Sequence, residues 1–380
     1  MLAEQGGKTI LYAVTDYTTA NVFGFEQVKS LTEKGFSVIL VCGIGPINPK
    51  LTKYLYKIFQ LKSLHRSPAL FSDILSTLRI IHIILKYRPQ ILVYSTPKAS
   101  LLVSIASIFS KSTISIYQIW GARWQNSSFL GLYVLSRLDR FVLSRSTHRI
   151  AVSASIKKLY EKLTREEIIV LGKGSAIGVD DEIFRPLDTS KVNKDKFILG
   201  YAGRLARDKG ISDLLTIFDA LRDKLIDVKL QVIGELDKTD SIDINTARRL
   251  EVDSDIEWIK SVDRIELAKH MQEWTIQVFP STREGLGNAI IESQAVGVPT
   301  ICWDMVGTTD AICPRYNNLL IPYGNLNLFI TRLEEYCLSP HSFEAKTYLS
   351  NWTKINFSKQ LVLGNFSEFV SEVWQDSNEG

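Results

Sequence analysis

The feature that most constrains this chain is an alternation, carried through twice, of short apolar runs with longer stretches of helical spacing. Thr9–Thr15, Ser37–Cys42, Ile91–Tyr94, Ile114–Ile119 and Arg149–Val152 are the runs of the first half. Between them Gly24–Lys34, Phe71–Lys86, Leu101–Phe109 and Leu130–Leu143 place apolar residues at helical intervals. After a loop around Gly172–Pro186 and the polar stretch Asp188–Lys196 the pattern restarts. Strands are predicted at Phe197–Ala202, Lys229–Gly234, Ile276–Pro280 and Thr300–Trp303, with helices at Ile211–Leu225 and Leu286–Val296. Strand alternating with helix builds a parallel sheet covered on both faces. At 380 residues the chain is too long for one such domain, so the expected fold class is α/β with two Rossmann-like parallel-sheet domains. The expected division is 1–188 and 189–355, with a helix at 356–380 packing back on the first domain. Ligands of such sheets sit at the carboxyl ends of the strands, so the two carboxyl edges are expected to face a central cleft.

Two loops of the second half carry the chemistry. Directly after Phe197–Ala202 comes GRLARDKG, in which Gly203 allows close backbone approach and Arg204 and Lys209 bracket a turn that opens a helix. Two cations beside a helix N-terminus suit a diphosphate, although a basic turn taken alone is more often a surface feature making salt bridges. The loop after Ile276–Pro280 is more specific. It reads STREGLGN, Ser281–Asn288, and the helix beyond it carries Glu292 two turns in, giving a Glu-x7-Glu pair with Glu284. At ~100° per residue the two side chains return to within roughly 80° of one another, so both can address one elongated ligand. Gly285 and Gly287 leave N–H groups bare at a helix start, which favours an anion. A carboxylate accepting two vicinal hydroxyls is an ordinary way to hold a ribose. Either glutamate alone would read as a solvated helix charge; loop, glycines and spacing together argue for a ligand.

Composition narrows the class further. With 45% hydrophobic and 23% charged residues, the chain has the profile of packed globular domains. Cys42, Cys302, Cys313 and Cys337 are scattered and read as reduced thiols of a cytoplasmic protein. The five histidines show no metal-ligand spacing, so no metal or other cofactor is expected. Met1–Lys8 lacks the basic and apolar regions of a signal peptide, and the longest apolar stretches fall short of the ~20 residues that span a bilayer. The net charge of +4 hides a split: residues 1–185 hold 24 Lys and Arg against 12 Asp and Glu, and the remainder 21 against 29. Much of the basic excess lies in Lys50–Arg66, where Leu51, Tyr54, Leu55, Ile58, Phe59 and Leu61 are spaced for one face of a helix. That helix either contacts an anionic membrane surface or a lipid-linked pyrophosphate, or it packs its stripe on its own domain. Nucleic acid is not expected, because no recognition motif accompanies the charge.

GRLARDKG and STREGLGNAIIESQAVGVPTI resemble the paired donor-site motifs of the retaining family 4 glycosyltransferases of glycosyltransferase-B (GT-B) fold. STPKASLLVSIA, YQIWGARW and GKGSAIGVDDEIFRP are similar to segments of bacterial members that build surface polysaccharides on a lipid carrier. The resemblance implies a nucleotide-sugar donor, with UDP favoured, a lipid-linked acceptor and retention without a metal. It implies that Arg204 and Lys209 neutralise the diphosphate, that Glu292 binds the ribose, and that Glu284 with the N–H groups of Gly285, Leu286 and Gly287 holds the donor sugar, beside Gly203 and Asn288. It places the base at Lys260–Asp263, including Ser261 and Val262, and the acceptor at Thr15, Asp16, Tyr17, Trp120, Gly121 and Arg123. Three positions depart from the pattern: Trp120 stands where relatives commonly have His, Ile177 where many have Asn, and Gly24 alone represents a double glycine. Two other functions fit a nucleotide-diphosphate site, namely a sugar-nucleotide epimerase of the same fold and a non-catalytic scaffold of glycan assembly.

Overall fold

The computed structural model describes residues 8–67, 69–110, 114–122, 124–125, 129–187, 197–224, 228–237, 240–338 and 343–379. The chain forms two compact units, Met1–Ile177 together with Gln360–Gly380, and Gly178–Lys359.

The first unit runs β1 (Thr9–Ala13), α1 (Tyr17–Thr19), α2 (Phe25–Glu33), β2 (Ser37–Gly43), α3 (Pro49–Thr52), β3 (Leu55–Leu61), α4 (Leu70–Tyr87), β4 (Ile91–Ser95), α5 (Pro97–Ala106), β5 (Ile114–Ile119), α6 (Phe129–Arg145), β6 (His148–Ala151) and α7 (Ala154–Tyr160). Its six strands are parallel in the order β3-β2-β1-β4-β5-β6. Every residue of β4 is buried, and β1 is buried from Ile10 onward, which is why these central strands read as unbroken apolar runs.

The expected helix at Lys50–Arg66 is not there. A four-residue helix, α3, gives way to the edge strand β3. The register against β2 slips after Leu55, which pairs with Val38, so that Lys57 pairs with Ile39 and Tyr56 is left over. Beyond the slip Ile58, Phe59 and Leu61 fall at intervals that mimic a helical face. Leu51 and Leu61 are buried, while Tyr54, Leu55 and Ile58 pack against the core. The stripe therefore serves this unit's own sheet, and Lys50, Lys53, Lys57 and Lys62 remain exposed.

The second unit contains β7 (Phe197–Ala202), α8 (Ile211–Arg222), β8 (Val228–Ile233), α9 (Ile244–Val252), β9 (Ile256–Ile259), α10 (Arg264–Glu273), β10 (Ile276–Phe279), α11 (Asn288–Ala295), β11 (Thr300–Trp303), α12 (Thr308–Ala311), β12 (Leu320–Ile321), α13 (Leu326–Leu338) and α14 (Phe343–Phe357). Its parallel sheet has the order β12-β11-β10-β7-β8-β9, the same winding as the first. The final helix, α15 (Lys359–Glu379), places Phe366 and Val370 in the core of the first unit.

The division falls at Ile177 and Gly178, and the return at Lys359 and Gln360, rather than at residues 188 and 356. Val179 donates its N–H to the Phe357 carbonyl at 2.7 Å and accepts from Lys359 N–H at 2.7 Å. Val179, Phe184 and Phe357 are thereby committed to the second core. The expected linker beyond Leu187 lies outside the described residues. All four cysteines are buried; burial pushes the Cys42 and Cys337 thiols up to about 12 and raises Cys302 and Cys313 as well.

Candidate functional site

In each sheet the strand order reverses beside the first strand of its unit, between β1 and β4 and between β7 and β10. Such a switch point opens a crevice at the carboxyl ends of the strands. The two loops singled out by their chemistry, Gly203–Gly210 and Ser281–Gly287, both leave the sheet there.

The first loop turns through Arg207–Lys209 into Gly210, which has φ +69° and caps α8. A Cβ at Gly210 would lie 2.0 Å from the Pro280 carbonyl oxygen, so only glycine lets this loop lie against the end of β10. Thr282 donates its N–H to the Asp208 carbonyl at 2.9 Å, and Arg283 grips the Asp208 carboxylate through Nε at 3.0 Å and Nη2 at 2.7 Å. Lys209, with a side chain only 11% exposed, donates from Nζ to Glu284 Oε1 at 2.7 Å and to the Arg283 carbonyl at 2.9 Å. Ser281 Oγ adds a 2.8 Å hydrogen bond to the same glutamate oxygen. The two loops are thus preassembled by charge-assisted bonds.

Arg204 has an exposed side chain that pairs with the buried carboxylate of Asp237. Its carbonyl accepts from the Tyr201 hydroxyl at 3.0 Å, which fixes the turn to the core. Glu292 is the fifth residue of α11, one turn into the helix and not two as expected. It is buried, and Arg264 Nη2 lies 3.0 Å from its Oε1. Burial pushes the Glu292 carboxyl above the usual carboxylate range, with Arg264 opposing. Arg264 opens α10 directly after the loop that carries exposed Ser261 and half-buried Val262. Its guanidinium also sits over the Phe184 ring at 4.9 Å. Gly285 and Leu286 lie in the turn before α11, Gly287 caps it, and Asn288 is its first residue. The Gly287 N–H is not bare: it donates to the Gly307 carbonyl at 3.4 Å.

Lys209 and Glu284 are therefore brought together, while Glu292 is held separately by Arg264. Asp237, Arg264 and the Asp208–Arg283 pair were not anticipated. Arg283 stands inside the motif and Arg264 one residue past the base loop, so their positions were in view; their partners were not.

The carboxyl edge of the first sheet holds the other candidates, after β1 and after β5. Thr15 and Thr96 share a hydroxyl hydrogen bond of 2.8 Å, and Thr15 N–H donates to Thr96 Oγ1 at 3.0 Å. Asp16 caps α1 by accepting from Thr19 N–H at 2.9 Å and pairs with Arg66 Nε at 3.0 Å. The half-buried Tyr17 ring lies where a side chain on Gly45 would be, 2.0 Å from that site. Trp120 packs on Phe23 at 5.1 Å between ring centroids and donates from Nε1 to Gln118 Oε1 at 3.2 Å. The Gly121 carbonyl accepts from the Tyr160 hydroxyl at 3.2 Å, and Arg123 lies outside the described residues.

The sequence pattern of the group 1 glycosyl transferases matches residues 186–351, the stretch that contains both loops. The chain is 32% identical to the capsular polysaccharide biosynthesis glycosyltransferase CapM of Staphylococcus aureus over 320 residues, covering 81% of this chain and 82% of that one. Sucrose-phosphate synthase of Thermosynechococcus elongatus superposes with a TM-score of 0.83 at 15% identity, over 97% of this chain and 100% of that one. Anabaena HepE, solved in complex with UDP and glucose, gives a TM-score of 0.74 at 14% identity, over 96% of this chain and 100% of that one.

Proposed function

The chain belongs to the group 1 glycosyl transferases of GT-B fold, and we propose that it moves a hexosyl or N-acetylhexosaminyl group from a nucleoside diphosphate sugar to a lipid-linked glycan. UDP is the favoured nucleotide, surface polysaccharide assembly the process, and the cytoplasmic face of an anionic membrane the place. The carrying observation is the junction of Lys209 with Glu284 at the switch point of the second sheet. UDP in HepE and the capsular role of CapM support the donor and the process.

Bond cleavage puts charge on the departing diphosphate. Arg204, Lys209 and the N-terminus of α11 stabilise that charge in the transition state. Glu292 accepts the ribose hydroxyls, and Glu284 positions the Lys209 ammonium and a sugar hydroxyl. The acceptor oxygen attacks the face that the phosphate leaves and passes its proton to the leaving group, so configuration is retained and no metal is required. Exposed Lys50, Lys53, Lys57 and Lys62 support attraction to an anionic surface.

The test is turnover of a UDP-sugar panel with a polyprenyl-pyrophosphate acceptor extract, read by mass spectrometry, together with the anomeric configuration of the product by NMR. Arg204→Ala and Lys209→Ala should each lower turnover by about two orders of magnitude, the usual cost of one lost oxyanion contact. Wild-type turnover in either variant removes the diphosphate assignment.

A further inference from the structure

Helix α4 is apolar on both sides. Ile80, Ile83 and Ile84 are buried against the first unit, yet Leu70 is 74%, Phe71 88% and Leu78 58% exposed, with Ile74, Leu75 and Leu85 exposed alongside. A helix of that composition is normally covered all round. Helix α6 repeats the pattern with Leu130 at 71% exposure and Leu132, Tyr133, Val134 and Leu138 exposed. Helix α5 lies between them, and over it runs an apolar groove of about 460 Å³, within the range of small-molecule sites. Leu70, Ile74 and Leu78 form one wall, Leu101 and Ile105 the floor, and Leu138 the other wall.

The groove also has a charged lining, and it contains Arg66 and Lys98. Arg66 pairs with Asp16 in the loop after β1, and Lys98 at the start of α5 pairs with Asp73 at 2.6 Å. The apolar channel, which Asp73 also lines, therefore ends in two ion-paired cations beside the carboxyl edge of the first sheet, where the acceptor was expected, and a phosphate there would share or displace Asp16 and Asp73. Along α4 and α6 stand Arg79, Lys86, Arg137, Arg140 and Arg145, with Arg88 just after α4. Asp16 and Asp73 balance Arg66 and Lys98, and buried Asp139 is held by Trp124 and Tyr160, so the basic excess of this face comes from the residues along α4 and α6. A second copy on this face would set those cations against themselves, whereas an anionic lipid complements them.

We propose that the groove between α4 and α6 receives the hydrocarbon chain of a phosphate-headed polyprenyl lipid, with the phosphate at Arg66 and Lys98. The assignment rests on the lipid-linked acceptor of the proposed function. The ridge of Leu70, Phe71 and Leu130 rests in the bilayer interface from which that chain is drawn.

Binding is tested without turnover, so that it succeeds or fails independently of the transferase reading. The full chain is titrated by calorimetry with farnesyl phosphate, farnesol and inorganic phosphate. Farnesyl phosphate should bind at least tenfold more tightly than either fragment. Leu78→Trp, at a site exposed enough to leave the fold intact, narrows the groove and should weaken farnesyl phosphate at least tenfold, while Arg66→Ala should reduce the preference over farnesol. Thermal unfolding of each variant checks its fold. Equal affinity for farnesyl phosphate in wild type and Leu78→Trp overturns the proposal, as does binding of phosphate alone. Concentration-dependent dimerisation abolished by Phe71→Ser would overturn it in favour of a second copy. Attachment to phosphatidylglycerol vesicles that ignores Leu78→Trp, without farnesyl phosphate binding, would reduce the face to a bilayer contact and also overturn the groove assignment. Transfer to a soluble glycan acceptor, measured separately, reports on the proposed function.

Discussion

Burying a lysine such as Lys209 without a carboxylate within reach would be costly, and Glu284 at 2.7 Å supplies one. A diphosphate bound at Lys209, as proposed, would have to share or displace an internal partner, which would make Glu284 sensitive to the reacting state. Glu284→Ala is expected to lower kcat by about two orders of magnitude. Glu292→Ala is expected to raise KM with kcat nearly unchanged, because ribose contacts are made equally in ground and transition states. Steady-state kinetics of the two variants decide this, and the opposite pattern would exchange their roles. The raised Glu292 carboxyl adds a pH signature. In the proposed role its ionised form would accept the ribose hydroxyl hydrogen bonds, so UDP affinity should begin to fall, as pH is lowered, above the usual carboxylate range, and Glu292→Gln should remove that dependence. For stability the sign is opposite. A carboxyl raised on folding favours the folded state below its unfolded pKa and loses that advantage as pH rises through the folded value. Glu292→Gln should therefore be neutral or stabilising at neutral pH, read as the thermal midpoint. Of the candidate site, the meeting of the two loops at Lys209 and Glu284 was legible in sequence, because cations, glycines and a carboxylate pair share short loops. Asp237 and Arg264 were not, because each pairs with a residue 33 or 28 positions away, and only folding sets that meeting.

At the scale of elements, the central strands could be read because parallel strands buried on both faces are apolar throughout. The edge strand β3 could not. It is half exposed, carries Lys57 and Gln60, and its slip after Leu55 breaks the period of two by which a strand is recognised. Helices α9 and α10 also escaped prediction, since each buries one or two residues and so shows little apolar stripe: only Leu250 in the former, Ala268 and Met271 in the latter. The turn before α8 offers a direct test of how the two loops of the candidate site are joined. Gly210→Ala would place a methyl 2.0 Å from the Pro280 carbonyl at φ +69°. The left-handed backbone alone costs about 1–2 kcal/mol, so destabilisation of at least that size is expected from urea unfolding, with UDP binding lost because the two loops can no longer meet. Unchanged stability would mean that the loop does not need this close approach.

Each unit has its own sheet, and the second also has an extensive core reaching from Val179 to Phe357. A fragment of residues 178–359 is therefore expected to unfold cooperatively and to bind UDP within about tenfold of the full chain, as calorimetry would measure. Failure of the fragment to bind would show that the donor site draws on the first unit. The cysteines bear on work with the whole chain. All four are buried, with thiols raised well away from the reactive thiolate form, so native sulfur should be silent toward maleimides in the folded state. A single cysteine introduced at exposed Phe71 would then be the one fast-reacting site, and a spin label or fluorophore there could report lipid contact without the native thiols being removed.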